Sequence, residues 1–419
     1  MTLASAAGPR LSVVMPTLNQ GRFIEAAVRS VLGPGRSDVE LVVADGGSSD
    51  GTLSLLSALG EEFDGRLRWV SRPDGGPAQA VNRAVERCRA PLVGWLNSDD
   101  LYAEGAIDRA LAHFTAAPDD VMVYGEGDHV DEHGAFMERY PTLPPETPLD
   151  AFREGCFICQ PTAFFRREAF DAVGGLDTGL RAAFDFDLWL RMFKAFPGRI
   201  GFIGRVQALS RLHAGGITLS QRGRVAREGI TVLGRHLGSA PPQWALTWLE
   251  ELCAQHPFHP QQLAMQEQLE SLADDCAQAL GPHGVAELDA RMASDVRLRL
   301  STSQSYVGVH ADGWAGPLLE IRVLQQPVRL RRLRLFGRHV LQGGPLELEL
   351  VSPDGAREDL VVDDPGSFTL DIDLSAHEVG ARAVYRIQCR QGFVPALAEP
   401  GSSDARTLSF KVEHVELMS

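Results

Sequence analysis

Gly94-Trp95-Leu96-Asn97-Ser98-Asp99-Asp100 runs an apolar strand straight into two adjacent carboxylates. A strand that ends abruptly on paired acids sets negative charge at the open end of a sheet, where ligands of α/β folds bind. Hard oxygen ligands there suit Mg²⁺ or Mn²⁺, and such an ion neutralises a nucleotide diphosphate. An Asp-Asp pair after a strand also serves as a helix N-cap, so the stretch alone leaves both readings open.

Strand and helix patterns alternate upstream of this stretch. Leu11–Met15 is a short strand, Arg22–Leu32 has helical spacing, Glu40–Ala44 is a second strand, and a helix starts at about Gly51. Leu67–Ser71 is a third strand, Ala78–Cys88 a further helix, and Leu92–Leu96 the strand that delivers the acidic pair. Strands alternating with helices of this length imply right-handed βαβ units around a mostly parallel central sheet, an α/β fold. Downstream, Val121–Arg211 is more mixed, with shorter strands and a helix near Leu188–Phe196. Pro141–Pro148 predicts a surface loop over the sheet end.

From about Gly223 to Met292 the pattern is helical, with a break at His256–Pro260 and no chemical cluster. After about Leu298 the grammar changes again. Leu318–Val323, Val328–Leu335, Leu346–Val351, Ser367–Leu374, Ala383–Cys389 and Thr407–Val412 read as short strands between Gly, Pro and Asp turns, the pattern of an all-β sandwich. These shifts predict an α/β domain over 1–236, a helical linker region over 237–298 and a β-sandwich accessory domain over 299–419.

The 419 residues are enough for two or three domains with real cores. A formal charge of −15 argues against general nucleic-acid binding, which wants a basic footprint. No apolar run is long enough to span a bilayer, and Met1–Arg10 lacks the basic start and apolar core of a signal peptide. The expected address is the cytoplasm. Six cysteines in this length make no disulfide framework, and the single CxxC of Cys156 and Cys159 reads as buried reduced thiols.

The first strand ends Pro16-Thr17-Leu18-Asn19-Gln20-Gly21, without the GxGxxG that brings a backbone close to a dinucleotide pyrophosphate. An NAD or FAD enzyme is therefore disfavoured. The second strand ends Ala44-Asp45-Gly46-Gly47-Ser48-Ser49-Asp50-Gly51-Thr52, where Asp45 can accept from a base N–H or a ribose hydroxyl. Ser49 or Asp50 suits the N-cap of the following helix. Arg72-Pro73-Asp74-Gly75-Gly76-Pro77 follows the third strand, with Gln79 and Asn82 early on the next helix. A plain turn explains that segment equally well.

Taken together, Pro16-Thr17-Leu18-Asn19, Asp45 to Thr52 and Asn97-Ser98-Asp99-Asp100 resemble family 2 glycosyltransferases of the GT-A fold in order and spacing. Phe184-Asp185-Phe186-Asp187-Leu188-Trp189-Leu190-Arg191 is similar to that family's acidic catalytic motif and the helix after it. Gln160 to Arg167 and Val173 to Asp177 also match bacterial members, so the resemblance covers roughly residues 10 to 236. It implies an inverting hexosyl- or deoxyhexosyltransferase that takes a nucleotide-diphosphate sugar. The acceptor would be a glycan or a lipid-linked molecule, in cell-surface polysaccharide assembly. Thr17, Asp45 and Asp74 would line the nucleoside pocket, with Pro16, Asn19, Gln79 and Asn97 also on the donor side. Asp99 would hold a Mn²⁺ or Mg²⁺ ion that bridges the donor phosphates, Asp100 would bind sugar or orient the metal, and His213 would reach the metal or diphosphate. Asp185 would be the general base, with Gln160 and Trp189 on the acceptor side. Two positions depart from the family pattern. Asn97 stands where many relatives carry the first metal-motif acid, and Phe184 where the first acid of the catalytic pair is often found. Peripheral membrane association and a homo-oligomer are both compatible with the resemblance.

The residue types suit this chemistry independently. In single-displacement transfer an acceptor hydroxyl attacks the anomeric carbon while the nucleoside diphosphate leaves from the other face. One carboxylate takes the hydroxyl proton, a contribution of about 10²–10⁴-fold. A divalent ion stabilises the departing phosphates. Glycoside hydrolases need two flanking carboxyls instead, so an acid cluster for metal and a separate single base fit transfer better. Simpler roles exist for the same residues: Asp185 and Asp187 as helix-start acids, His213 as a loop histidine, Trp95 and Trp189 as core anchors.

In the β-rich tail, Arg329, Arg331, Arg332, Arg334 and Arg338 alternate with Leu330, Leu333 and Leu335. A solvated face or interdomain ion pairs are the plain expectation, and a patch for an anionic glycan or a membrane surface the sharper one. Phe393 to Phe410 resembles the ancillary β-sandwich of some bacterial glycosyltransferases. Two rivals stand beside transfer: a non-catalytic glycan-binding protein with a decayed transferase domain, and a sugar nucleotidyltransferase. The latter would want a basic Gly-rich loop where Leu18–Gly21 stands.

Overall fold

β1 (Leu11–Thr17) is buried along its whole length, as is β2 (Val39–Asp45) beside it. Parallel strands covered on both faces read as continuous apolar runs rather than alternating ones, which is why these two are plain in the sequence. The computed structural model describes residues 8–33, 36–213, 215–248, 265–294, 304–310, 313–323, 331–339, 344–373, 383–395 and 404–418. The chain divides into two units, Met1–Pro241 and Pro242–Ser419.

In the first unit β3 (Leu67–Ser71), β2, β1 and β4 (Leu92–Trp95) lie side by side in that order, all parallel. β5 (Leu101–Tyr102), β6 (Met122–Val130), β7 (Phe136–Arg139), β8 (Phe164–Arg166) and β9 (Ile200–Arg211) continue the sheet as β4-β8-β6-β9-β5, with β7 on β6. The expected α/β sheet is present, parallel as far as β4 and mixed beyond it, because β8 and β5 run antiparallel to their neighbours. The helices are α1 (Ile24–Val31), α2 (Thr52–Glu62), α3 (Pro77–Val85), α4 (Ala106–Ala116), α5 (Arg167–Ala172), α6 (Phe184–Ala195), α7 (Ile217–Ser220) and α8 (Arg222–Leu237).

α1 shows how the layers lock. Ile24, Ala27, Val28 and Val31 form one buried stripe at helical spacing and join the core under β1 and β2. Each fully buried aliphatic of this kind stabilises by about 1.5–3 kcal/mol. Asp50, not Ser49, caps α2: its Oδ1 accepts from the Thr52 N–H at 2.9 Å, while Oδ2 accepts from Gly21 N at 3.0 Å. The parallel pairing also sets one edge of the sheet in register, with Thr17 beside Asp45 and Asp45 beside Ser71.

The second unit holds the helix Met265–Ser294, interrupted at Gly281 (φ 66°) before Pro282. Its strands are β10 (Gln304–Val309), β11 (Trp314–Val323), β12 (Arg332–His339), β13 (Leu346–Val351), β14 (Arg357–Val362), β15 (Gly366–Asp373), β16 (Ala383–Cys389) and β17 (Phe410–Met418). They pair antiparallel in the order β14-β13-β16-β11-β17-β12-β15, with β10 on β11. β11 pairs with β16 over Leu318–Val323 and with β17 at Trp314 and Ala315, so it passes from one half to the other. Leu333 and Leu335 of β12 and Leu346, Leu348 and Leu350 of β13 meet in one core, as a sandwich requires.

On β12, Arg334 pairs with Asp371 at 2.8 Å and Arg338 with Glu413 at 3.1 Å, on an outward face. That is a solvated face whose ion pairs lie within the second unit, worth little individually. Arg329, Leu330, the start of the expected Val328–Leu335 strand, Leu374 and the expected break at His256–Pro260 lie outside the described residues.

Candidate active site

β4 hands the chain to a turn that is fastened from inside. Trp95 Nε1 donates to Asn97 Oδ1 (3.1 Å), Asn97 Nδ2 donates to Gln160 Oε1 (2.9 Å), and Gln160 Nε2 donates to the Trp95 carbonyl (2.9 Å). Asn97 and Gln160 were expected on the donor and acceptor sides respectively. Their amides hold each other, and together they fix the acidic turn. Asp100 is also turned inward, only 4% exposed, and its Oδ1 accepts from Arg211 N at 2.8 Å. Burial first, and the neighbouring Asp99 charge second, push its carboxyl well above the usual carboxylate range. Of the two expected roles for Asp100, this geometry fits orientation and not sugar contact.

Asp99 Oδ2 lies 2.9 Å from His213 Nε2. The His213 ring sits 5.0 Å from the ring of Phe23, and the Arg211 guanidinium lies 4.9 Å over the same ring. Arg211 Nε also donates to the Asp99 carbonyl at 2.8 Å. Arg211 thus holds Asp100 with its backbone and Asp99 with its side chain. Among the described residues no three or more His, Cys, Asp or Glu side chains form a metal cage. One carboxylate with one imidazole fits an ion that takes its remaining ligands from phosphate oxygens and water.

The other strand ends form the second part of the site. Asp45, buried, accepts through Oδ2 from Gly47 N (2.9 Å), Ser48 N (2.9 Å) and Ser71 Oγ (2.6 Å), and through Oδ1 from Ser48 Oγ (2.5 Å). Burial alone would raise its carboxyl, but these hydrogen bonds outweigh it and hold the group below its ordinary value. Asp45 therefore shapes the loop first. Thr17 lies beside it, 6% exposed, and its Oγ1 has no hydrogen-bond partner. Pro16 is buried within β1. Asn19, at φ 54°, donates its N–H to Ser48 Oγ (2.7 Å) and accepts through Oδ1 from Ser49 N (2.8 Å). Asn tolerates that left-handed conformation better than most residues. Leu18 between them is 54% exposed.

Asp74 Oδ1 accepts from Gly76 N at 2.8 Å. A Cβ on Gly46 would stand 3.3 Å from Asp74 Oδ2, so the bare Gly46 leaves that oxygen room. Gln79 Oε1 accepts from Gly75 N at 2.7 Å and steadies the same turn. Gly76 has φ 114°, and a Cβ there would meet Arg181 Nη1 at 2.6 Å. That contact brings the segment before α6 against the turn after β3.

Asp185 stands in the first turn of α6. Burial raises its carboxyl to about 6, against the lowering effect of the Phe186 N–H, which donates to Oδ1 at 2.8 Å. The side chain keeps partial exposure. The thiol of Cys159 is raised by burial and then by the charges of Asp100 and Asp185, so both acids lie within electrostatic reach of it. Cys156 and Cys159 are free, Cys159 buried and Cys156 partly buried, and desolvation pushes Cys156 up to about 12, so the CxxC is a pair of protonated thiols. Tyr140 closes this corner by donating to the Cys156 carbonyl at 2.6 Å.

Two other acidic-motif residues face elsewhere. Asp187 is 1% exposed and paired with Arg191 (2.7 Å) and His236 (2.8 Å), tying α6 to α8. Trp189, expected on the acceptor side, is fully buried 6.5 Å from the Trp95 ring, so it is a core anchor. Arg181, Arg211, Phe23, Tyr140 and Glu228 were not singled out as site residues in the sequence. Only Arg211 carried a signal, its place two residues before His213.

Residues 12–174 match the sequence pattern of glycosyl transferase family 2. A chondroitin synthase of Escherichia coli is 27% identical over 192 residues, covering 45% of this chain and 27% of that protein. A hyaluronan synthase of Pasteurella multocida is 24% identical over 232 residues, covering 55% of this chain and 23% of that protein. The chain thus spans about a quarter of the length of these two relatives. Among solved structures, S. aureus TarS aligns over 96% of this chain and 85% of that chain, with 14% identity and a TM-score of 0.49. The mannosyltransferase PcManGT of Pyrobaculum calidifontis, in complex with GDP-Man and Mn²⁺, aligns over 70% and 83% with 22% identity and a TM-score of 0.43.

Proposed function

We propose, from the place of residues 12–174 in glycosyl transferase family 2, that the chain moves a sugar from a nucleotide-diphosphate donor to a hydroxyl of a glycan or lipid-linked acceptor. The sugar is a hexosyl or deoxyhexosyl unit, it transfers with inversion, and the setting is cytoplasmic assembly of a surface polysaccharide. The kinship with chondroitin and hyaluronan synthases supports a polysaccharide product. No helix among the described residues is long and apolar enough to cross a membrane.

The observation that carries this reading is a pair of acidic positions, Asp185 partly exposed in the first turn of α6 and Asp100 buried in the turn after β4. Beside Asp100, Asp99 and His213 converge at 2.9 Å. A carboxyl near 6 is ionised at neutral pH and still basic enough to take the acceptor hydroxyl's proton. Asp99 Oδ2 and His213 Nε2 would hold a Mn²⁺ or Mg²⁺ ion, which when bound offsets charge on the departing diphosphate. Thr17 Oγ1 and Asp74 Oδ2 have capacity left for the nucleoside. Arg211 and Asn97 keep the acidic turn in place while this happens.

A panel of UDP-, GDP- and dTDP-sugars tests the reading, each with and without Mn²⁺, for thermal stabilisation and slow hydrolysis. One donor should raise the melting temperature in a metal-dependent way, since a ligand of the folded state stabilises by mass action. Asp99→Ala should abolish the metal-dependent part while retaining weak nucleotide binding. If no donor stabilises the protein, or if Asp99→Ala keeps full metal dependence, the proposal fails.

A further inference from the structure

Glu228 reaches from α8 to the beginning of α6. Its carboxylate accepts from the backbone N–H groups of Arg181 (3.0 Å), Ala182 (2.8 Å) and Ala183 (3.0 Å), three successive donors. Ala183, the residue before the helix, provides no side-chain cap. N–H groups at a helix start have no partner within the helix and carry the positive end of its dipole. Asp185 lies two residues after the last of the three. An uncompensated positive end there would favour the Asp185 carboxylate and make it a weaker base.

The remaining groups around Asp185 cannot supply the compensation. Tyr140, Cys156 and Cys159 face it from the segments before α5, and burial keeps all three protonated and neutral. On its own helix, Asp187 is matched by Arg191 and His236. The Arg181 guanidinium lies against Gly76. Besides Asp185 itself, Glu228 is the anion at this end of the helix, bonded to the N-cap residue Ala183 and to the two residues before it.

We propose that Glu228 is the positioning residue of the catalytic base: it fixes the helix start that aims Asp185 and offsets the positive charge of that start. The proposal deepens the transferase reading and rests on Asp185 as base. Glu228→Gln keeps the shape and an acceptor oxygen but removes the charge. Its expected result is an acid limb of the kcat–pH profile moved down by about half a unit, with donor Kd within about twofold. Glu228→Ala should lower kcat by about tenfold or more with donor KM little changed. Selective ¹³C labelling of aspartate carboxyls, assigned with Asp185→Asn, reads the same shift without any turnover. Should the wild type transfer no sugar, the transferase reading falls and this titration still decides the Glu228 relation. An Asp185 titration that stays put or moves upward in Glu228→Gln overturns the proposal. So does a Glu228→Ala variant that loses donor binding in step with kcat.

Discussion

At the scale of the residue, one carboxyl bears the chemistry and its environment can be tested directly. Asp185→Asn should reduce transfer by about 10²–10⁴-fold while calorimetric donor affinity stays nearly unchanged. Loss of both together would remove Asp185 from the role of base. The wild-type rate should climb with pH and level off above about 6, where the carboxyl is ionised. The stability effect has a definite sign. A folded-state value of about 6 exceeds the unfolded value, so this group's contribution is largest at acid pH and declines as pH rises through 6. Asp185→Asn should therefore stabilise the protein at pH 7–8 by about 1–2 kcal/mol, partial exposure to water having softened the full effect. Chemical denaturation at pH 7.5 and pH 4.5 checks this, with the gain confined to the higher pH.

At the scale of the element, β4 shows how closely the site is built on the sheet. A Cβ on Gly94 would stand 2.5 Å from the Tyr102 hydroxyl and 3.0 Å from the Phe164 ring. Gly94→Ala should cost about 1–3 kcal/mol by overpacking and displace Trp95 and the acidic turn after it. Urea denaturation gives the first quantity. An alanine variant as stable as the parent would show that the strand has slack. The limits of what a sequence discloses also lie at this scale. β1, β2 and β4 were legible because buried parallel strands are continuous apolar runs bounded by turn residues. β14 was not, since none of its residues is buried and no alternation marks it. The acidic turn was legible as residues, but the Asn97–Gln160 bond joins positions 63 apart. Glu228 serves residues 45 to 47 positions away and has no local signature. Trp189 was expected on the acceptor side, and its plainer reading as a core anchor is the one the fold shows.

At the scale of the whole molecule, the two units have separate cores. One gathers residues from β1, β2, α1, α2 and α4, the other from the strands of the second unit. Calorimetry should therefore resolve two transitions, only one of which moves when donor and Mn²⁺ are added. A single transition displaced as a whole by ligand would show that the cores melt as one cooperative body. The second unit's role is less legible for a physical reason: Arg334 and Arg338 on its outer face are paired with Asp371 and Glu413, so these two do not by themselves name a ligand.

The touch between Arg181 and bare Gly76 has an asymmetric mechanical consequence. The Arg181 guanidinium stands against the place a Cβ on Gly76 would take, 2.6 Å from its Nη1, so only the bare glycine leaves it room. Such a contact resists compression steeply and hardly opposes separation. It behaves as a doorstop: the turn after β3 cannot press past the Arg181 side chain, while Glu228 holds the backbone of the same segment in place from α8.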